Sequence, residues 1–219
     1  MLRALGLKKE QIFTVIPHRI EDGYGLNWNV VERRIQGIQD IEAKPRLIIS
    51  VDSGSTAVEA VGEILKQNEL DLIIVDHHDP NPERKLPEEN PRLIHINPKL
   101  WMERPERDAR YQMENMCASG LAYLLARAVI RRTRIKAGWS AERALLLAGM
   151  ATCVDVMKLT GINRALLKHS LRLANTPSRL ALVPGLVELK AKLGPHPKTK
   201  LRVTAAMLAM NFVAFTFPF

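Results

Sequence analysis

The sequence predicts an α/β protein, in which a mostly parallel sheet with flanking helices is followed by a helical portion. The first supporting observation is that short apolar runs of strand length alternate with a helical pattern in the first half of the chain. The second is that these runs are continuously apolar, which is typical of parallel strands covered on both faces. The third is that the second half of the chain shows helical patterns.

Four segments of the first half are rich in β-branched residues and have the length of strands. They are 11–17 (QIFTVIP), 46–52 (RLIISVD), 71–76 (DLIIVD) and 92–97 (RLIHIN). Residues 55–68 (STAVEAVGEILKQN) have the spacing of an amphipathic helix and lie between two of these strands. The order strand, helix, strand predicts a βαβ unit, because a crossover helix must pack back on the sheet it leaves.

The second half contains three predicted helices and one predicted linker. The helices are 118–132 (ASGLAYLLARAVIRR), 140–154 (SAERALLLAGMATCV) and 163–175 (NRALLKHSLRLAN). Residues 194–200 (GPHPKTK) combine Pro, Gly and Lys, and we interpret them as a linker. The last fifteen residues, AAMLAMNFVAFTFPF, are apolar but shorter than the roughly 20 residues that cross a bilayer, so we expect an interface or core element there.

The composition indicates a folded, basic protein. With 219 residues, the chain can form one sizeable domain, or one domain and a fragment of another. Lys and Arg outnumber Asp and Glu by 32 to 23, and the net charge of +9 favours nucleic acid as a partner, although an ordinary basic protein explains the charge equally well. The two cysteines lack CxxC spacing and are too few for a disulfide framework, and no signal peptide is recognisable. We therefore predict a cytoplasmic protein.

Acidic and imidazole side chains follow two of the predicted strands. Asp52 ends one strand, and Asp76, His77 and His78 end the next. The carboxyl ends of parallel strands meet at the edge of a sheet where ligands bind, and the Gly-Ser turn after Asp52 leads into a helix whose N-terminus favours an anion. A helix cap or an Asx turn explains Asp52 alone. An acid and two imidazoles together at a buried edge require a compensating charge, which a divalent metal supplies.

Mixed carboxylate and imidazole ligands favour Mn²⁺, Mg²⁺ or Fe²⁺ over structural zinc, which prefers thiolates. Two such ions about 3.5–4 Å apart activate a water and hold a phosphoryl oxygen in phosphoester hydrolysis, and one carboxylate between them can bridge both. Asp155 is the candidate for a further acid, since it ends a predicted helix in an apolar stretch. Pairing of Asp155 with Lys158 or Arg164 is the alternative, and spacing does not decide between the two.

Four motifs, in order, resemble those of the DHH phosphoesterase superfamily: VDSG at 51–54, VDHH at 75–78, CASGLAYLLA at 117–126 and VDVMKLTGINR at 154–164. Within the superfamily, the sequence most resembles the RecJ family of single-strand-specific 5′ to 3′ DNA exonucleases. IPHRIEDGYGLN at 16–27 is similar to the turn before a helix in that family, and DVMKLTGINR is similar to its segment after the late aspartate. The likeness runs from about residue 1 to about residue 190.

The resemblance implies two divalent metal ions, Mn²⁺ or Mg²⁺, as cofactors and single-stranded DNA as the substrate. It implies that Asp52 bridges the ions, that His77 is a metal ligand and that Asp155 binds the second ion. His78 and Asp76 are the implied catalytic residues: His78 contacts the scissile phosphate, and Asp76 is a ligand or orients a histidine. The implied substrate-binding residues are Ser119, Gly120 and Arg164.

The resemblance also implies two parts that the 219 residues do not contain. One is an Asp-x-Asp motif before a helix similar to MLRALGL, and the other is a second domain that closes over the substrate. We therefore expect an N-terminally truncated DHH domain over 1–193, with a linker and the start of a connecting helix over 194–219. A missing N-terminal segment or a partner chain would complete the metal site, and the chain alone is expected to have little or no activity.

The implied function is metal-dependent hydrolysis of phosphodiester bonds in single-stranded DNA, without a membrane partner. Two alternatives remain open. The first is a non-catalytic DHH module that binds nucleic acid or a protein partner. The second is a small-substrate phosphoesterase, because the superfamily also acts on oligonucleotides, cyclic dinucleotides and pyrophosphate.

Two charged segments and four histidines are ambiguous. We interpret residues 103–112 (ERPERDARYQ) as a solvated loop rather than a nucleic-acid contact. The basic end of 126–136 (ARAVIRRTRIK) fits a phosphate-backbone contact and compensation of a helix dipole equally well. The remaining histidines lack a neighbouring acid or partner motif, and we interpret them as structural or exposed: His18, His95, His169 and His196.

Overall fold

A computed structural model describes residues 1–40, 44–101, 113–135 and 138–193. The chain divides into two compact units. The sheet unit comprises Met1–Arg107 and Ala128–Trp139, and the helical unit comprises Asp108–Arg127 and Ser140–Phe219. This division agrees with the predicted order of a sheet region followed by a helical region.

The sheet unit contains three parallel strands in the order β1 (Leu47–Val51), β2 (Asp71–Val75) and β3 (Leu93–Ile96). Val51 pairs with Val75, and Val75 pairs with Ile96, so the three strands end in register. Residues that follow the three strands are therefore brought to one edge of the sheet. The α/β fold with a parallel sheet is confirmed.

Two helices precede and connect these strands: α1 (Trp28–Gln36) and α2 (Val58–Lys66). Helix α2 buries one apolar face, which packs against β2 in the core of the sheet unit. Burying each such aliphatic side chain contributes about 1.5–3 kcal/mol. Arg92, just before β3, donates hydrogen bonds to carbonyls at the end of α2 and in the loop after it, which ties the helix to the third strand. The buried core residues are Val61, Ile64, Leu65, Leu70, Leu72, Ile74, Leu86 and Leu93.

The helical unit is built from the first part of α3 (Ala118–Thr133) and from four later helices. These are α4 (Ala141–Val154), α5 (Gly161–Ala174), α6 (Pro177–Leu180) and α7 (Pro184–Leu193). The side chain of Ser140 caps α4 by accepting a hydrogen bond from the Arg143 amide. Helices α4 and α5 approach closely at Gly149, where an added Cβ would lie 2.2 Å from Cβ of Ser170. A mainly apolar core fills this unit: Leu146, Cys153, Leu167, Ala174, Leu180, Val183 and Leu186.

Two local predictions are wrong. The segment 11–17 is not a strand and does not join the sheet, although its composition favours extended backbone. Strand pairing is a tertiary contact that β propensity does not specify, and Pro17 has no N–H to donate to a ladder. Residues 2–6 form turns instead of the helix that the resemblance suggests for MLRALGL.

Some predictions concern residues outside the described ranges. These are the solvated loop at 103–112, the linker at 194–200 and the apolar end of the chain, so the division at residue 193 stays a prediction. In the parts of the chain that the structure describes, no helix has both the length and the apolar character needed to cross a membrane.

Candidate metal centre

The loops after β1 and β2 carry the candidate ligands of the sheet unit. The amide of Asp52 donates a hydrogen bond of 3.0 Å to the carbonyl of Val75, so strand pairing continues just beyond β1. The backbone of Asp52 then turns into the left-handed region, with φ of 65°. Such a conformation costs roughly 1–2 kcal/mol for most residues, and Asp is among those that tolerate it best. Gly54, with φ of 120°, completes the turn against Ile74, where an added Cβ would lie 3.0 Å from Cγ2.

Asp52, His77 and His78 lie together at this edge of the sheet. One potential ligand atom from each of the three lies within 4.8 Å of the others, and within the described ranges no second group of three such residues is found. Asp52 Oδ1 is 3.2 Å from His77 Nε2. The His77 side chain is only 12% exposed, whereas that of Asp52 is 61% exposed. The cluster therefore has one side anchored in protein and another open to solvent.

Asp76 is buried and organises the loop after β2. Its Oδ1 accepts hydrogen bonds from the His77 amide at 2.8 Å and from His78 Nδ1 at 2.7 Å, and its Oδ2 accepts from the Ser55 amide at 2.9 Å. Burial opposes ionisation of Asp76, but these hydrogen bonds outweigh it and lower the pKa of Asp76 to about 2. Both carboxylate oxygens are thus used inside the protein, as expected for a residue that orients a histidine.

The donor set of the cluster fits a divalent cation. One carboxylate and two imidazoles supply oxygen and nitrogen ligands of the kind that Mn²⁺, Mg²⁺ and Fe²⁺ bind. Ligand atoms that share one such ion, each about 2.0–2.6 Å from it, lie no more than about 5 Å apart, and the separations within 4.8 Å meet this condition. Because the Asp76 carboxylate only accepts, a ring hydrogen of His78 lies on Nδ1. This leaves Nε2 for a metal ion when the ring is neutral, or for a phosphate oxygen when Nε2 also carries a hydrogen.

The predicted site residues of the helical unit lie at helix ends. Ser119 is exposed in the first turn of α3, and Arg164 is exposed in the first turn of α5. Asp155 is the C-cap of α4, and its amide donates to the carbonyls of Ala151 and Cys153. Gly120 is buried, and an added Cβ would lie 2.9 Å from Cε of Met116, so close packing already explains this glycine.

The start of α3 and the end of α4 meet at Cys117. Burial raises the pKa of the Cys117 thiol, the negative charge of Asp155 adds to this, and backbone amides of Gly120 and Ser119 act in the opposite direction. The Cys117 sulfur is also 3.7 Å from Thr152 Oγ1. The helical unit thus brings the charge of Asp155 close enough to the CASG motif to act on the Cys117 thiol.

The sequence interpretation missed a group of residues next to the centre. The sequence predicts no acidic neighbour for His95, but its Nδ1 lies 3.1 Å from Glu88 and its Nε2 lies 2.9 Å from Ser55. The IHIN segment could have predicted this group, because a third parallel strand brings its last residues to the same edge of the sheet as Asp52. His18 and His169 are exposed, in agreement with their interpretation as structural or exposed histidines. His196 lies outside the described residues.

Comparisons with known proteins point to one family. The model of the DHH family, N-terminal domain, matches residues 1–152. Single-stranded-DNA-specific exonuclease RecJ of Bacillus subtilis (strain 168) is 32% identical over 182 residues, which cover 83% of this chain and 20% of that protein. RecJ of Thermus thermophilus is 31% identical over 171 residues, which cover 78% of this chain and 22% of that protein.

A solved structure is similar as well. The crystal structure of exonuclease RecJ bound to manganese matches with a TM-score of 0.65 and 27% sequence identity, over 90% of this chain and 42% of that one. The chain spans about a fifth of the length of the two curated relatives.

Proposed function

Because the chain belongs to the DHH family, we propose that it serves in divalent-metal-dependent hydrolysis of phosphodiester bonds in single-stranded DNA, in the 5′ to 3′ direction. The observation that carries the proposal is the cluster of Asp52, His77 and His78 at the carboxyl edge of a parallel sheet. Relatives that are exonucleases and a similar structure that contains manganese support the choice of substrate and metal.

In this proposal, Asp52 and His77 would hold Mn²⁺ or Mg²⁺, and the role of Asp155 as a ligand of a second ion rests on the family resemblance alone. When bound, such ions polarise a phosphoryl oxygen and lower the pKa of a water molecule. His77 is held for this role by partial burial and by its contact with Asp52. Asp76 holds His78 through Nδ1, so that Nε2 is the nitrogen that contacts the scissile phosphate.

The substrate-binding part of the proposal concerns the helical unit. Ser119 lies in the first turn of α3, and Arg164 in the first turn of α5. The dipole of a helix gives its N-terminal end a partial positive charge, so a DNA phosphate suits the exposed Ser119 hydroxyl at the start of α3. Arg164 adds a positive charge that strengthens phosphate binding at low salt.

Metal binding is the primary test. Titration of the purified chain with MnCl₂ in a calorimeter is expected to give saturable binding. His77→Ala should weaken it by more than about 100-fold, beyond the 10- to 100-fold range typical of residues that only orient a ligand. The matched control is His169→Ala, which removes an exposed imidazole from α5 and should leave the affinity unchanged. Equal affinity of wild type and His77→Ala would contradict the proposed site.

Substrate class is tested separately. Hydrolysis is measured at high enzyme concentration with Mn²⁺. The substrates are 5′-phosphorylated single-stranded DNA, the matching duplex, pyrophosphate and a dinucleotide. We expect single-stranded DNA to be degraded fastest, with release of 5′-mononucleotides. Preferential hydrolysis of pyrophosphate or the dinucleotide would instead favour a small-substrate phosphoesterase. DNA binding without hydrolysis of any substrate agrees with a non-catalytic module and gives no support to the proposed hydrolysis.

A further inference from the structure

Four side chains next to the candidate metal centre form one continuous run of hydrogen bonds. Glu88 Oε1 lies 3.1 Å from His95 Nδ1, and His95 Nε2 lies 2.9 Å from Ser55 Oγ. Asn97 Nδ2 lies 2.9 Å from the same Ser55 Oγ. Ser55 and Asn97 are almost completely buried, and only 3% of the His95 side chain is exposed. We name Glu88, His95, Ser55 and Asn97 the Ser55 relay.

One assignment, with a single hydrogen on the His95 ring, satisfies every hydrogen bond in the Ser55 relay. Because the Glu88 carboxylate only accepts, the ring hydrogen of His95 lies on Nδ1 and Nε2 becomes an acceptor. The Ser55 hydroxyl therefore donates to His95 Nε2 and accepts from the amide group of Asn97. Asn97 Oδ1 accepts from the Lys99 amide, so the buried polar atoms of the relay are satisfied.

The Ser55 relay reaches the loop after β2 at two points. The second hydrogen of Asn97 Nδ2 is donated to the carbonyl oxygen of His78 at 2.8 Å. The amide of Ser55 donates to Asp76 Oδ2 at 2.9 Å, and Asp76 Oδ1 binds His78 Nδ1 at 2.7 Å. The backbone of His78 and its ring are thus both fixed, one through Asn97 and the other through Asp76.

We infer that the Ser55 relay is a positioning device for His78, which sets the direction of His78 Nε2 at the centre. The inference deepens the proposed function and rests on it for the role of His78. The simpler alternative is a buried polar cluster that stabilises the fold without affecting the centre. The distinction matters because a ligand atom of His78 lies within 4.8 Å of those of Asp52 and His77, so its orientation can affect the ion as well as the phosphate. Residues that orient a side chain of a metal centre typically change metal affinity or activity by 10- to 100-fold, whereas a purely structural cluster changes only the free energy of unfolding.

Two variants of the Ser55 relay and one control separate these interpretations. Ser55→Ala removes the hydroxyl but keeps the amide that binds Asp76, and Asn97→Leu removes the donor to the His78 carbonyl. The control is Ser170→Ala, which deletes an equally buried hydroxyl that donates to the carbonyl of Leu146 at 3.2 Å in the helical unit. If Asn97→Leu does not fold, Glu88→Ala weakens the relay from its exposed end, where the Glu88 side chain is 47% exposed.

The first measurement needs no metal. ¹⁵N NMR detects the hydrogen on Nδ1 of His78, and His78→Ala assigns its signal. We expect this signal to be lost through solvent exchange or clearly shifted in Ser55→Ala and Asn97→Leu, to shift less in Glu88→Ala, and to stay unchanged in Ser170→Ala. The second measurement is Mn²⁺ affinity by calorimetry, which we expect to fall about tenfold in the two relay variants and not in the control.

The outcomes keep the two proposals apart. If the relay variants lose stability as Ser170→Ala does, but keep both the His78 signal and the Mn²⁺ affinity, the positioning role is refuted. Weaker Mn²⁺ binding with an unchanged His78 signal refutes it as well, because the effect then does not pass through His78. If the wild-type chain binds no Mn²⁺ while the His78 signal depends on Ser55 and Asn97, the relay stands as a positioning device and the proposed metal site fails.

Discussion

Asp52 and Asp155 each lie one residue beyond the end of an element, β1 and α4 respectively, but the two units hold these acids differently. In the sheet unit, Asp52 itself adopts a positive φ of 65° and contacts His77, whose neighbour His78 is bound to a buried carboxylate. In the helical unit, Asp155 has an ordinary φ of −81°, and the exposed Val156 after it has a φ of 51°.

The difference shows two ways of fixing a polar group. The sheet unit uses buried polar side chains that are hydrogen-bonded to one another, whereas the helical unit uses helix ends, apolar packing and buried polar side chains such as Asn163 and Ser170 that bind backbone carbonyls. Buried polar networks are sensitive to the loss of any member, because each remaining donor or acceptor loses its partner. Substitutions in the sheet unit should therefore act through unpaired polar atoms, and those in the helical unit through packing and backbone conformation.

The largest effect is expected for Asp76→Ala. It leaves the buried amides of Ser55 and His77 without an acceptor, and we expect the free energy of unfolding to fall by about 3 kcal/mol. The matched control is Asp79→Ala, since Asp79 is a neighbouring acid that is 88% exposed and paired with Lys99. A surface pair of that kind contributes at most about 1 kcal/mol. Urea denaturation of the wild type and the two variants measures the free energies of unfolding. Equal losses in the two variants would contradict the prediction.

The lowered pKa of Asp76 also predicts that the stability of the protein depends on pH. Hydrogen bonds lower the pKa of Asp76 from 3.8 to about 2, so its contribution to stability is present above pH 3.8 and is lost as the pH falls towards 2. Between those values, the stability of the wild type should decrease more steeply than that of Asp76→Ala. Urea titrations at several pH values show the result, and parallel curves would mean that Asp76 is not stabilised in its charged form.

A smaller effect of different origin is expected for Gly149→Ala in the helical unit. The new Cβ would lie 2.2 Å from Cβ of Ser170, and separating α4 from α5 to relieve the overlap should cost about 1–3 kcal/mol. The matched substitution in the sheet unit is Gly62→Ala in α2, where an added Cβ meets nothing within 4 Å. There we expect a gain of about 0.5–1 kcal/mol from helix propensity.

Thermal unfolding compares the two glycine variants. The double variant Gly149→Ala with Ser170→Gly should recover part of the loss, because it removes the atoms that the new Cβ overlaps. A loss of equal size in Gly62→Ala would indicate that backbone entropy, rather than packing, governs both positions.

The sequence predicted the parts of the molecule that depend on local pattern. The strands β1 to β3 and the helices α2 to α5 follow from apolar runs and helical spacing, and parallel register then brings Asp52 to His77 and His78. The predicted strand at 11–17 did not form because an extended composition does not supply a partner strand. The Ser55 relay could not be predicted either, since Ser55 and His95 are 40 residues apart and meet only after the sheet forms.

The smallest effect is a gain, expected for Val156→Gly. A β-branched residue with a φ of 51° is strained by roughly 1–2 kcal/mol, and Val156 is 85% exposed, so replacement loses little packing. Part of the relief is offset by the greater freedom of glycine in the unfolded chain, which leaves a net gain of about 0.5–1 kcal/mol. The control is Lys168→Gly, an exposed position inside α5 that should lose about 1 kcal/mol. If Val156→Gly also loses stability, the turn after Asp155 is not strained, and the positive φ at Asp52 becomes the better candidate for strain stored at a functional position.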